Sequence, residues 1–287
     1  MEYFAPASTK EAVKLLGTAK GKVHVMAGGT DLLVRMKGGY TEPDAIVDIK
    51  RIAGLRKIAR AGKGWRIGAA VSAAEMGEDK ALKKAWPGVV EAANLIGSTQ
   101  VQGRATIAGN LCNASPAADS VPAMVAAGAK AVIAGAKGKR KIAVEKLVKG
   151  PGKTALKKSE FVESIELPEK KKRMGDAYLR FIPRTEMDIA VVGVGICLTL
   201  DAKGKCTAAR VALGAVGPTV IISAKAAKAL VGTTVDDAAL DALAKACATE
   251  AKPIDDKRGT KEFRKHIAGV LARRAAIIAR DRAKENS

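Results

Sequence analysis

Residues Val101 to Asp119 read VQGRATIAGNLCNASPAAD, and the centre of that run, Thr106-Ile107-Ala108-Gly109-Asn110, has an earlier counterpart in Ala27-Gly28-Gly29-Thr30-Asp31. Both combine small side chains with hydroxyl or amide donors. In the earlier segment a strand, Val23-His24-Val25-Met26, feeds a turn without side chains at Gly28 and Gly29, and a helical pattern opens at Leu32-Leu33. Such a turn lets backbone N–H groups approach an anion, which a helix N-terminus also favours. Two cradles in one chain suit the two phosphates of a dinucleotide. Neither matches G-x-G-x-x-G or G-x-x-x-x-G-K-[ST], so a Rossmann or P-loop site is disfavoured. A Gly-Gly pair ahead of a helix also serves as a plain turn, since a positive φ alone demands glycine.

Outward from these turns, strand-like and helix-like segments alternate without any internal repeat. Ser8 with Glu11 fits a capping box, Ala12, Val13, Leu15 and Leu16 form a helical stripe, and Gly17 stops it. Strands are expected at 45–49 and 66–70, a helix from Ser72, and another from Pro87 to about Ile96. After the quoted run come a helix over 119–128 and strands over 131–134, 141–144 and 161–167. The charged run Glu169 to Arg173 is the best domain boundary, giving domains 1–173 and 174–287. Beyond it, strands at 177–182, 189–200 and 206–215 precede helices at 223–231, 236–251 and 260–284, the order of an α+β domain with an antiparallel sheet.

Composition removes several classes of function. Lys and Arg number 50 against 29 Asp and Glu, a formal charge of +21. That excess raises nucleic acid as a partner. It is spread along the chain, however, and Phe, Tyr and Trp make up only 3%, too few for a base-stacking platform. No nucleic acid is expected; a solvated lysine surface facing acidic partner subunits fits better. The four cysteines, Cys112, Cys197, Cys206 and Cys247, form no C-x-x-C pair, and His24 and His266 are the only histidines, so no metal site is expected. The longest apolar stretch, Ile189 to Leu200, falls short of the roughly 20 residues of a membrane span. The N-terminus MEYFAP has neither a basic n-region nor an apolar h-region, so a cytoplasmic chain is expected.

Several separated motifs in order, Met26 to Leu33, Val47-Asp48-Ile49, Ile67-Gly68-Ala69 and above all Val101 to Asp119, resemble the FAD-binding medium subunit of the molybdenum hydroxylases. That group includes carbon monoxide dehydrogenase, xanthine dehydrogenase and related aromatic or N-heterocycle hydroxylases. The likeness continues through Tyr178 to Val194 and Leu213 to Pro218, and on to Phe263-Arg264 and Arg273-Arg274-Ala275, over essentially the whole chain. It implies an α+β fold. A FAD-binding domain of the PCMH type with two subdomains (about 1–55 and 56–173) would be followed by a C-terminal domain whose small antiparallel sheet packs on helices.

By position, the resemblance implies that Ala27, Gly28, Gly29, Thr30, Asp31, Leu32 and Leu33, together with Thr106, Ala108, Gly109 and Asn110, wrap the FAD pyrophosphate and ribityl chain. Asp119 stands where relatives have an acidic residue on the cofactor, and Ile96, Ser115, Phe161 and Val162 line the remainder. Arg180 falls where relatives often carry a Lys near the isoalloxazine, and a cation there stabilises the reduced flavin. The rival readings are a helix N-cap for Asp119 and a surface strand position for Arg180. Ala108-Gly109 replaces a Gly-Gly pair common among relatives, and Ile189 stands where the carbon monoxide dehydrogenase type has a Tyr against the flavin, which argues against carbon monoxide as substrate. The cysteine-bearing insertion of the hydroxybenzoyl-CoA reductase relative is absent.

The function implied is an electron-transfer flavoprotein subunit of an oxidoreductase. Substrate is hydroxylated at a molybdopterin centre in a large partner subunit, electrons cross two [2Fe–2S] clusters in a small partner subunit, and FAD in this chain passes them to NAD, a quinone or another acceptor. No catalytic acid or base is expected here. The alternative from a different class is a non-catalytic basic binding protein.

Overall fold

The computed structural model describes residues 1–286. The first 55 residues build a small three-stranded parallel sheet from β1 (Glu2–Phe4), β2 (Val23–Met26) and β3 (Ala45–Asp48), with β3 central, and two helices, α1 (Thr9–Thr18) and α2 (Leu32–Lys37). Ser8 caps α1 by accepting from the Glu11 N–H at 3.2 Å, while Glu11 reaches back to the N–H of Ala7 rather than closing the expected box on Ser8. β1 carries no sequence signal of its own. Three residues are too few to show a period.

The next segment forms a five-stranded antiparallel sheet in the order β4-β5-β10-β6-β7 from β4 (Ile58–Ala61), β5 (Gly64–Gly68), β6 (Lys130–Gly135), β7 (Gly138–Ala143) and β10 (Phe161–Leu167), with a small hairpin of β8 (Val148–Gly150) and β9 (Lys153–Thr154). Between β5 and β6 run α3 (Ala73–Glu78), α4 (Lys80–Ala85), α5 (Pro87–Ala93), α6 (Thr99–Gln102), α7 (Ile107–Cys112) and α8 (Ser120–Ala126), and α9 (Val144–Leu147) precedes β8. The single helix expected from Ser72 is two. Ser72 and Glu75 close a capping box on α3, and Asp79 then leaves helical geometry to accept from the Leu82 N–H at 2.8 Å, starting α4. The second glycine-bearing turn of the sequence is also a helix: Thr106 accepts from the Gly109 N–H at 2.9 Å and caps α7.

The C-terminal part is a four-stranded antiparallel sheet in the order β11 (Met174–Phe181), β12 (Val192–Leu200), β13 (Cys206–Gly214) and β14 (Ile221–Ile222), covered by α10 (Ala224–Leu230), α11 (Asp237–Glu250) and α12 (Lys261–Glu285). β12 is an unbroken apolar run because both its faces are covered, one by the C-terminal helices and the other by α8. Gly195 is required by the second contact, since a Cβ there would lie 2.5 Å from the Pro122 carbonyl oxygen. On α12 the buried stripe Ala268, Ala272, Ala275, Ala279 and Ala283 repeats at three and four residues, so small side chains bring the helix close to the sheet. Two hydrophobic clusters result. The first is drawn from residues 12–167 with Tyr178, Cys197 and Ala212 added from the C-terminal sheet; the second lies between that sheet and α10 to α12.

Candidate functional site

A cleft of about 310 Å³ opens between the β2–α2 connection and the start of α7. One wall is Ala27 to Leu32; the other is Ala105, Thr106, Gly109, Asn110, Cys112 and Asn113, with Ile96, Arg35, His24 and Gly152 closing the ends. Gly28 lets the walls meet: a Cβ there would lie 2.0 Å from the Arg104 carbonyl oxygen, a backbone atom that cannot yield. Gly29 has φ +77°, the left-handed region that other residues adopt at a cost. The turn is held at its start by Lys50, whose Nζ donates to the Ala27 carbonyl at 3.0 Å and to Asp48 at 2.7 Å, while the Tyr3 hydroxyl donates to the same carboxylate at 2.6 Å. Burial pushes the Asp48 carboxyl up, but these hydrogen bonds outweigh it and hold the group below the ordinary carboxylate range.

The backbone N–H groups of Gly28, Gly29, Thr30, Asp31 and Leu32 donate to no other group among the described residues. Five adjacent, unpartnered amides on a cleft wall are a donor set for an anion with several oxygens, and a dinucleotide diphosphate fits it. Arg35 supplies positive charge. His24 does not, since burial and then the nearby Lys22 and Arg35 charges lower its pKa and leave the ring neutral at pH 7. Across the cleft, Asn110 turns its Oδ1 away to accept from the Ser120 N–H at 3.1 Å and hydroxyl at 2.7 Å.

The residues singled out in the sequence divide among several places. Ala27, Gly28, Gly29, Thr30, Asp31, Leu32, Ile96, Thr106, Gly109 and Asn110 line the cleft. Ala108, Phe161 and Val162 line an adjoining apolar pocket of about 90 Å³, which shares Val25, Ala27, Gly109 and Cys112 with the cleft. Ser115 lines a third cavity of about 350 Å³ with Pro116, Pro151, Ile189 and Ile254, on the border with the C-terminal part. Leu33 is exposed and lines none of these.

Asp119 and Arg180 line none of these three cavities; they pair with each other, Nη1 to Oδ2 at 2.8 Å, with 11% and 5% of their side chains exposed. Arg180 is therefore not a surface strand residue. Asp119 occupies the N-cap position of α8 but makes no cap bond; Asn110 caps the helix in its place. Burial raises the Asp119 carboxyl, with the Arg180 charge and the Tyr178 hydroxyl opposing it, and the Tyr178 phenol is itself raised well above 10 by burial and then by Asp119. His24, Arg35, Asn113 and Gly152 also line the cleft and were not singled out; Gly152, in the turn Gly150-Pro151-Gly152, comes from a hairpin far along the chain.

Residues 1–170 match the family described as "FAD binding domain in molybdopterin dehydrogenase", and residues 177–279 match "CO dehydrogenase flavoprotein C-terminal domain". The chain belongs to the FAD-binding subunits of the molybdopterin dehydrogenases. It is 32% identical to the carbon monoxide dehydrogenase medium chain of Afipia carboxidovorans over 99% of this chain and 98% of that one. To the xanthine dehydrogenase FAD-binding subunit of Escherichia coli O157:H7 it is 29% identical, covering 95% and 93%. Its fold is similar to a structure of carbon monoxide dehydrogenase from Hydrogenophaga pseudoflava, with a TM-score of 0.93, 31% identity and 98% of each chain covered. As a member of this family the chain is an oxidoreductase subunit with FAD as cofactor, and the five amides and Arg35 are the groups in the cleft whose chemistry suits its diphosphate.

Proposed function

We propose that this chain is the electron-transfer flavoprotein of a cytoplasmic, multi-subunit molybdenum hydroxylase. It takes electrons from a small partner subunit with two [2Fe–2S] clusters, assembled with a large molybdopterin subunit, and delivers them to an external acceptor such as NAD or a quinone. The observation that carries the reading is the row of unpartnered amides from Gly28 to Leu32 facing a cleft in a chain of this family. Bound FAD exchanges electrons singly or in pairs, which joins one-electron clusters to a two-electron acceptor.

The chain's own residues bind, orient and exclude water. The amides of Gly28 to Leu32 and the Thr106 side of the cleft grip the diphosphate, Arg35 offsets its charge, and Lys50 holds the turn rigid through Ala27. Phe161, Val162 and Ala108 offer an apolar recess for a ring, and Ser115 and Ile189 border the larger cavity at the domain junction. Asp119 and Arg180 join the start of α8 to β11, tying the C-terminal sheet to the part of the chain that carries the cleft.

Acid denaturation of the purified chain should release about one equivalent of FAD into a yellow supernatant, and the native chain should copurify with one iron–sulfur and one molybdenum subunit. Flavin that stays on the polypeptide, or a lone monomer with full substrate-oxidising activity, would overturn this reading. A colourless basic protein would favour the non-catalytic alternative.

A further inference from the structure

The motif Val47-Asp48-Ile49 lines no part of the cleft, yet its carboxylate is the hub of a hydrogen-bond relay that ends on the cleft wall. β2 and β3 pair in register only as far as Met26 and Asp48. Past that point β3 gives way to a 3₁₀ turn, Ile49–Arg51, and a side chain of that turn holds the continuation of β2. Lys50 Nζ donates to the Ala27 carbonyl at 3.0 Å and to Asp48 Oδ2 at 2.7 Å. Asp48, with 7% of its side chain exposed, is fixed in turn by the Lys50 N–H on Oδ1 at 3.0 Å and by the Tyr3 hydroxyl on Oδ2 at 2.6 Å.

Holding the Ala27 carbonyl also aims an N–H. The Ala27–Gly28 peptide is trans, so its C=O and N–H leave one plane on opposite sides. With the oxygen on Lys50, which does not line the cleft, the Gly28 N–H is turned to the other side, and Gly28 does line it. Gly28 has no Cβ to resist rotation about its φ, and the rotated peptide would present the Ala27 oxygen to an anion in place of a donor. Lys50 and Asp48 carry opposite charges, so the pair adds no net charge to the turn. What it supplies is orientation.

We propose that Lys50, Asp48 and Tyr3 are positioning residues for the cofactor: Lys50 locks the Ala27–Gly28 peptide with its N–H toward the diphosphate, and Asp48 and Tyr3 lock Lys50. This rests on the placement of the diphosphate on the Gly28 to Leu32 amides in the proposed function. The full chain, stripped of flavin, is titrated with FAD by flavin fluorescence, and phosphorus NMR is recorded on the bound diphosphate. Lys50→Met should lower FAD affinity roughly 10- to 100-fold, the range for one charge-assisted hydrogen bond, and shift the bound phosphorus resonances. Lys50→Arg should restore most of the affinity, since a guanidinium has donors for both the carbonyl and the carboxylate. Tyr3→Phe, at a residue 57% exposed that lines none of the three cavities, should lose affinity about 2- to 5-fold, and it decides the matter even where Lys50→Met does not fold. Thr9→Val is the control: it removes a hydrogen bond to Glu163 from the same N-terminal unit and should change neither FAD affinity nor the phosphorus resonances. Parent affinity and resonances in Lys50→Met or in Tyr3→Phe would overturn the proposal, as would a loss in Thr9→Val equal to that in Lys50→Met. Phosphorus resonances of the parent complex identical to those of free FAD would instead sink the diphosphate placement, so the two failures are distinct.

Discussion

Arg180 and Asp119 form a buried ion pair at 2.8 Å that ties β11 of the C-terminal sheet to the start of α8, and Tyr178 donates to the other carboxylate oxygen. Removing one member strands the other in a place where water cannot solvate it, and such losses cost about 3–5 kcal/mol. Arg180→Met should destabilise the chain by that order. Because burial already raises Asp119 in the folded state, the native protein holds its proton to higher pH than the unfolded chain, and stability falls as pH rises through the folded value. Without Arg180 that value climbs further. Urea unfolding should therefore show a larger loss for Arg180→Met at pH 8 than at pH 5; an equal loss at both would show that the pair is not electrostatically coupled.

Gly28 and Gly109 face the same cleft under different constraints, and their substitutions should separate. A Cβ on Gly28 meets the Arg104 backbone at 2.0 Å, so Gly28→Ala must push the two walls apart and should lose FAD together with local stability. Gly109 lies in α7, where its nearest neighbour is the Thr106 hydroxyl at 3.0 Å, so Gly109→Val should leave the fold largely intact while filling ligand space. Losing two or three amide bonds to a phosphate, each worth about 1.5–3 kcal/mol, lowers affinity by orders of magnitude. Flavin content and far-ultraviolet circular dichroism on both variants are the measurements, and full occupancy in either would remove that glycine from the site.

Glu160 is held down to about 2, first by the hydrogen bonds from Arg140, whose Nε and Nη2 donate at 2.9 and 2.7 Å. A depressed carboxyl stabilises the fold above its ordinary pKa and loses that contribution as pH falls toward the folded value. Arg140 is more than a third exposed, so solvent screening reduces the contribution to about 1–2 kcal/mol. Glu160→Gln should cost this much at pH 7 and almost nothing at pH 2. Parallel stability curves for variant and parent across that window would refute the assignment.

Lys170 bonds Asp176 at 2.5 Å and sits 4.3 Å above the Trp86 ring, while Asp176 also accepts from the Val89 N–H at 3.3 Å. These contacts fasten α5 to β11, and Arg282 of α12 adds a bond to Glu91 of α5 at 3.0 Å. Lys170→Met leaves a buried carboxylate unpaired and should lower stability by about 3–5 kcal/mol, whereas the double change K170M/D176N should recover part of the loss. Calorimetry of Lys170→Met should resolve two transitions, one for each hydrophobic cluster, and a single unbroken transition would show that this contact does not couple them.

Local signals were legible where their physics is local. The helices expected from Ser72, Asp236 and Thr260 begin there, each of these residues accepting from a backbone N–H three residues on, a contact made within one local turn. The apolar run ending at Leu200 is a central strand, although it starts at Val192 and leaves Ile189 exposed. The short strands β4, β8, β9 and β14 and the short helices α6 and α9 escaped, since segments of two to four residues carry no period and are held by their neighbours. Ala27 to Asp31 and Thr106 to Asn110 look alike in composition, yet the first is a turn with one left-handed glycine and the second is a capped helix. What divides them is a hydroxyl at Thr106 that can reach the Gly109 N–H.

The sequence by itself determined the family, through motifs spread from Met26 to Arg274, and the α+β order of elements, because spacing and periodicity survive without three dimensions. Tertiary structure alone decided which groups share the cleft. Gly28, Ile96, Asn110 and Gly152 are distant in the chain and meet only when the walls close against the Arg104 backbone. It also decided that Asn110 would cap α8 and that Asp119 would spend its charge on Arg180. A carboxylate takes whichever partner burial leaves within about 3 Å, and burial is a property of the packed molecule rather than of neighbouring residues in the chain.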